Sequence, residues 1–198
     1  MSAETEFEVP SWRQIYSMLL SMAGGIRRSG FKPDVIVGVL RGGWLPARVL
    51  SDFLGVGVDS VGVEFYLGVA ETRKAPVLTQ SVSVPVTGKR VLVVDDVADS
   101  GESLTLVKAH VLQKGAKEVR VATVYCKPWS VVKPEYYARE SSSWVVFPWE
   151  LKETIRKIVE KCSGRAEVDV AVAKLVKAGA PKHLAAGFLK ELFEEQNC

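Results

Sequence analysis

The stretch from Val91 to Ser103, VLVVDDVADSGES, decides how the rest of the chain reads. Its first half is a near-continuous apolar run, the pattern of a strand covered on both faces rather than of a half-exposed, alternating one. Four carboxylates, Asp95, Asp96, Asp99 and Glu102, then crowd together at the carboxyl end of that run. Open α/β sheets hold their ligands at that end of their strands. The small-residue turn Ala98-Asp99-Ser100-Gly101 precedes a helical segment, so backbone N–H groups of the turn and of the helix start converge on one point. With hydroxyls from Ser100 and Ser103, that point is a cradle for a phosphate monoester. Asp95 and Asp96, paired just upstream, suit vicinal sugar hydroxyls or a hard cation such as Mg²⁺. Helix capping accounts for one or two such residues in a strand-to-helix turn, but not for the whole set after an apolar strand.

On either side of this segment the chain alternates helical and strand-like stretches, the sequence form of a doubly wound, mainly parallel α/β sheet flanked by helices. Ile15, Leu19, Met22 and Ile26 recur at helical spacing from Ser11 to about Ser29, and Gly30 ends that helix. A β-branched run, Val35 to Leu40, leads through Arg41-Gly42-Gly43 into a helix over Leu45 to Leu54. Val58 to Tyr66 reads as a strand, and Leu67 to Lys89, with two glycines and two prolines, as an irregular or hairpin excursion. Arg90 to Val94 is the buried strand, Gly101 to Lys114 the helix after the acidic loop, and Val119 to Cys126 another buried strand. Tyr136, Tyr137, Trp144, Phe147 and Trp149 then crowd together ahead of helices over Leu151 to Lys161, Glu167 to Ala178 and Pro181 to Glu195. In the last two, the apolar faces comprise Val168, Ala171, Val172 and Leu175, then Leu184, Phe188, Leu189 and Leu192. The expected organisation is a core with a small hood over residues 1–150 and a helical C-terminal extension over 151–198.

Composition narrows the classes. With 198 residues, 47% hydrophobic and 25% charged, the chain is globular rather than disordered, collagenous or coiled-coil. A net charge of +3 makes no case for nucleic acid as a partner. The longest uncharged stretch, Ala75 to Gly88, contains two prolines and falls short of the about 20 apolar residues that span a bilayer. The acidic start from Met1 to Glu8 lacks the pattern of an export signal, and three dispersed cysteines form neither a disulfide framework nor a zinc motif. A reducing cytoplasm is the expected location, with no membrane partner.

The segment DDVADSGES, Asp95 to Ser103, resembles the phosphoribosyl-diphosphate-binding motif of the type I phosphoribosyltransferases, with Ser at both positions where Thr is commoner. Two further segments fit the same family. GVLRGGWLP, Gly38 to Pro46, resembles the family's pyrophosphate-binding loop, in which a non-proline cis peptide often occurs; the matching bond here is Leu40-Arg41. VATVYCKP, Val121 to Pro128, with WVVFPWE, Trp144 to Glu150, resembles the base-binding end of the 6-oxopurine branch, including the microbial xanthine/guanine enzymes.

The resemblance implies transfer of a 5-phosphoribosyl group from phosphoribosyl diphosphate to xanthine, guanine or hypoxanthine, giving a nucleoside monophosphate and pyrophosphate in purine salvage. It assigns Arg41, Gly42, Gly43, Asp95, Asp96, Ala98, Asp99, Ser100, Gly101, Glu102 and Ser103 to phosphoribosyl diphosphate. Lys127, Trp144 and Val145 fall to the base, through a hydrogen bond to O6, stacking and a backbone contact. Asp95, Asp96 and Glu150 fall to Mg²⁺, although the family usually has Asp at the last position. Asp99 is the expected catalytic residue, accepting the proton at purine N7. The segment from Leu67 to Lys89, with Gly68, Arg73 and Lys74, is the expected closing loop; His110 and His183 are not expected to act in catalysis. Family members usually form homodimers or homotetramers. Rival readings are a regulator that binds phosphoribosyl diphosphate without catalysis, a transferase for adenine or orotate, and an enzyme that makes phosphoribosyl diphosphate.

Overall fold

A computed structural model of the protein describes residues 6–67 and 74–196. The chain divides into two compact units, one formed by residues 16–141 and the other by 1–15 together with 142–198.

The larger unit is built on a six-stranded sheet. Its strands are β2 (Val35–Leu40), β3 (Val58–Leu67), β4 (Lys74–Gln80), β5 (Arg90–Ala98), β6 (Glu118–Cys126) and β7 (Tyr136–Glu140), in the order β4-β3-β2-β5-β6-β7. Every neighbouring pair is parallel except β3 with β4, which forms an antiparallel hairpin with a register shift at Gly62/Val63. The excursion expected from Leu67 therefore begins as a hairpin, and Gly68 and Arg73 lie outside the described residues. Its second half is pinned to β3 by Asp59, whose carboxylate accepts from Ser83 N at 2.6 Å, Ser83 Oγ at 2.9 Å and Val84 N at 2.9 Å.

Alternation along the strands sets the two faces. Val35, Val37, Val39, Val91, Val93, Val119 and Val121 form one cluster with Leu104, Val107 and Val111 of helix α3 (Glu102–Gln113). Gly38 points the other way, toward helix α2 (Trp44–Leu54); a Cβ there would come within 2.8 Å of Ala47 Cβ. Helices thus cover both faces of a mainly parallel sheet, which is why the central strands carry almost no polar residue until their carboxyl ends.

From β2 the chain winds one way to β3 through α2, and from β5 it winds the other way to β6 through α3. The β2–α2 and β5–α3 loops consequently diverge, and the crevice between them is where a sheet of this kind binds its ligand.

The smaller unit pairs β1 (Phe7–Glu8) in parallel with β8 (Trp144–Val145) and carries α4 (Leu151–Lys161), α5 (Arg165–Lys177) and α6 (Lys182–Gln196). Its core is Val146, Leu151, Ile155, Ile158, Val168, Val172, Leu175, Ala185, Leu189 and Leu192. Leu184, expected on the apolar face of the last helix, is exposed; Ala185 takes that place one position on. Helix α1 (Trp12–Arg28) buries Ile15, Leu19, Met22 and Ile26 as its periodicity predicts. Among the described residues no helix is long and apolar enough to cross a membrane.

Candidate active site

The acidic segment is not a loop throughout. Strand β5 runs on past Val94, so that Asp95 and Asp96 belong to the ladder, with Asp95 in register with Thr123 of β6. Burial pushes the Asp95 carboxyl well above the usual carboxylate range, and the charge of neighbouring Asp96 adds to the effect; burial raises Asp96 as well. Thr123 adds a fully buried hydroxyl that lacks a hydrogen-bond partner among the described residues.

The loop after β2 meets this pair at close quarters. Leu40-Arg41 is a cis peptide bond, as the resemblance implies. The chain then turns through Gly42 and Gly43, with Gly43 N donating to Val39 O at 2.9 Å. A Cβ on Gly42 would stand 2.8 Å from Asp96 Oδ1 and closer still to the rest of that carboxyl, and one on Gly43 would stand 2.7 Å from Val39 O and 2.8 Å from Asp95 Cα. Only glycine fits at either position. Arg41 is exposed on the same turn.

Past Ala98, which is buried, the chain leaves the sheet: Asp99 is exposed, and Gly101 takes a left-handed conformation with φ of 85°. Ser100 Oγ accepts from Glu102 N at 3.3 Å, while Glu102 and Ser103 form the first turn of α3. The loop after β6 is laced to this turn. Lys127 N donates to Ala98 O at 2.9 Å and Val131 N to Ser100 O at 3.0 Å. A Cβ on Gly101 would meet Val132 N at 2.7 Å. Lys127 itself is only 7% exposed.

The larger unit therefore brings Arg41, Gly42, Gly43, Asp95, Asp96, Ala98 to Ser103 and Lys127 to the carboxyl edge of the sheet. It adds one residue that the sequence did not single out: Trp129, whose indole Nε1 donates to Asp99 Oδ1 at 3.0 Å and whose ring lies 5.6 Å from the Lys127 ammonium. Its position two residues beyond Lys127, in the turn closed by Ser130 N to Lys127 O, is the only sequence signal for it. In the smaller unit, Trp144 is exposed and Val145 buried on β8, and Glu150 accepts from Phe147 N at 3.1 Å in the turn that opens α4.

A family model described as "Phosphoribosyl transferase domain" matches residues 9–156. The chain belongs to the phosphoribosyltransferase family. Among curated relatives it is 31% identical, over 71% of its length and 85% of theirs, to a xanthine-guanine phosphoribosyltransferase of Cereibacter sphaeroides. Among solved structures, a purine phosphoribosyltransferase from Pyrococcus horikoshii has 39% identity and a TM-score of 0.66, covering 72% of this chain and 93% of that one. A Neisseria gonorrhoeae protein solved with bound ppGpp has 26% identity and a TM-score of 0.68, covering 75% and 92%. The family match stops inside α4, so most of the helical segment that follows lies outside it.

Phosphoribosyltransferases generally use Mg²⁺ with phosphoribosyl diphosphate, and the donors here fit such an ion. Among the described residues there is no group of three or more potential ligands that could hold a metal by itself. There is, however, a close carboxyl pair whose ionised form is disfavoured until a cation or hydroxyl donors arrive. Mg²⁺ is often held by one or two carboxylates together with substrate phosphates and waters.

Proposed function

We propose that this phosphoribosyltransferase transfers the 5-phosphoribosyl group of phosphoribosyl diphosphate to a 6-oxopurine, xanthine, guanine or hypoxanthine, with release of pyrophosphate. The observation that carries the base assignment is Lys127: an almost fully buried lysine at the end of β6, joined by a main-chain hydrogen bond to the phosphate-cradle turn. An ammonium there donates to an acceptor at the purine 6-position, where adenine presents an amino group. The xanthine-guanine relatives support the same reading.

In this mechanism the amides of the turn from Ala98 to Gly101, the start of α3 and the hydroxyls of Ser100 and Ser103 take the 5′-phosphate. Asp95 and Asp96 orient the ribose hydroxyls. Arg41 and the main chain of Gly42 and Gly43 hold the diphosphate and stabilise its charge as the bond to the anomeric carbon breaks. A bound Mg²⁺, held by Asp95 and Asp96 directly or through water and by Glu150 as the third assigned carboxylate, would neutralise the leaving diphosphate. Asp99 accepts the proton at purine N7, and Trp144 offers a stacking face with the Val145 main chain at the base edge. Holding two reactants in line supplies much of the acceleration in such a substitution.

A homodimer or homotetramer is part of this reading. It is supported by Tyr16 and Leu20, a turn apart on α1 and both more than half exposed, and light scattering on the purified protein tests it. A cytoplasmic setting completes it. The direct test is incubation with Mg²⁺, phosphoribosyl diphosphate and each of xanthine, guanine, hypoxanthine, adenine and orotate, reading pyrophosphate. Release with the 6-oxopurines alone is expected. Release with adenine or orotate instead would refute the base assignment, and binding of phosphoribosyl diphosphate without release with any base would identify a regulator.

A further inference from the structure

Trp129 is 55% exposed, so burial does not account for a large aromatic at that position. What it does contact is specific. Its Nε1–H donates to Asp99 Oδ1 at 3.0 Å, and the Lys127 ammonium stands 5.6 Å from its ring centroid. Both are groups that the proposed reaction assigns to the purine. The backbone beneath is fixed on both sides: Lys127 N to Ala98 O at 2.9 Å, Ser130 N to Lys127 O at 3.1 Å, Val131 N to Ser100 O at 3.0 Å. The indole therefore stands on a braced turn, while Asp99 is an exposed side chain with its own rotamer freedom.

We infer that Trp129 is a positioning residue for the transfer step: its indole N–H holds the Asp99 carboxylate in the orientation that accepts the purine proton. The inference rests on the assignment of Asp99 as proton acceptor. An indole N–H is a donor only, so it cannot take the proton in place of the carboxylate. By engaging Oδ1 it leaves Oδ2 as the oxygen that meets the base. Its ring face gives the Lys127 ammonium a second, weaker anchor, so one side chain sets the spacing between the proton acceptor and the O6 donor. A carboxylate pre-set in one rotamer pays less ordering entropy when the purine arrives, and a misplacement of about 1 Å at a reacting group costs rate rather than affinity.

The test is a double-mutant cycle on the full chain with Mg²⁺, phosphoribosyl diphosphate and guanine. Trp129→Phe keeps a ring face for Lys127 and removes only the donor. It is expected to lower kcat about tenfold, the scale of one charge-assisted hydrogen bond, with KM for phosphoribosyl diphosphate unchanged. Trp129→Ala is expected to lower kcat as far and to raise KM for guanine as well. In an Asp99→Asn background, Trp129→Phe should add no further loss, since the group through which it acts is gone. Thermal midpoints monitor folding, and both substitutions fall at a half-exposed site. A wild-type kcat for Trp129→Phe, or its full tenfold loss repeated in the Asp99→Asn background, would overturn the positioning role. A wild-type kcat for Asp99→Asn would instead remove Asp99 from catalysis and this inference with it.

Discussion

Gly42 and Asp96 occupy one space: the α-carbon of the first approaches the carboxyl of the second so closely that a methyl group between them would stand 2.8 Å from Oδ1 and nearer still to Cγ and Oδ2. This contact joins the β2–α2 loop to the end of β5 across the point where the sheet reverses its winding. It places the main chain proposed to bind diphosphate directly against a carboxyl proposed to bind ribose. A single methyl group tests whether that approach matters. Gly42→Ala is expected to displace the Asp96 carboxyl or the turn at a cost of about 1–3 kcal/mol in stability, the usual price of overpacking. It should also raise KM for phosphoribosyl diphosphate more than tenfold, while KM for the purine changes little. Steady-state kinetics with each substrate varied in turn measure the split, and an unchanged KM for phosphoribosyl diphosphate would show that the loop binds elsewhere.

The carboxyl pair also makes a prediction about pH. Burial raises both Asp95 and Asp96, so between about pH 4, where free aspartates ionise, and the raised folded values the unfolded chain has released protons that the folded chain still holds. The ligand-free protein therefore loses stability from this pair as pH rises through that window, and the contribution is flat below it. Asp96→Asn removes one buried charge and its repulsion on Asp95. Its thermal midpoint is expected to exceed that of the parent by a few degrees at pH 7.5 and to match it at pH 3. Calorimetry without substrate at the two pH values decides; equal differences at both would mean that neither carboxyl is held in a protonation-sensitive state.

How far the sequence reached depends on the kind of signal. Apolar runs such as Val35 to Leu40 and Val119 to Cys126, and the spacing of Ile15, Leu19, Met22 and Ile26, are local patterns, and the elements they announce are present within a residue or two. The segment proposed to cradle the phosphate was legible as a unit because it is contiguous, from Asp95 to Ser103. Strands β1, β7 and β8 were not, since β1 and β8 are two residues each and pair only with one another, and β7 is a mostly exposed edge strand without the buried run that marks its neighbours. The extension of β5 through Asp95 and Asp96 was hidden because carboxylates disfavour strands, and the ladder with β6 overrides that preference. Trp129 was missed for a different reason. Its contact with Asp99 joins residues 30 positions apart through two loops that only adjacent strands bring together, and no local pattern records such a pairing.

Asp34 and Arg90 join the starts of β2 and β5 at the opposite end of the same strands, with Arg90 Nη2 2.8 Å from Asp34 Oδ1 and Arg90 Nε 3.1 Å from Oδ2. The Arg90 side chain, then its backbone N–H at 2.8 Å, hold the Asp34 carboxyl below the usual carboxylate range. A depressed carboxylate contributes stability that is present above its unfolded pKa of about 4 and is lost as pH falls toward its folded value. Asp34→Asn is expected to lower the thermal midpoint at pH 7 slightly, as for an exposed pair, and to differ less from the parent near pH 2. A difference that persists unchanged at pH 2 would locate the effect in packing rather than in the ion pair.

Trp144 separates the two halves of the proposed chemistry. Its ring is 53% exposed on the short strand β8, so truncation leaves the core of the smaller unit, Val146 and the helices behind it, intact; stability should move by no more than about 0.5 kcal/mol. If the ring is the stacking face for the base, Trp144→Ala removes an interaction worth about 1–3 kcal/mol for a stacked base and raises KM for guanine roughly tenfold to a hundredfold. Phosphoribosyl diphosphate meets none of that surface in the proposed arrangement, so its KM should not change. Varying each substrate at saturating levels of the other gives both constants from one protein preparation. Equal weakening of the two would mean that Trp144 supports the site as a whole, and loss of neither would hand the stacking role to another aromatic, with Trp129, already beside Lys127, the first to substitute.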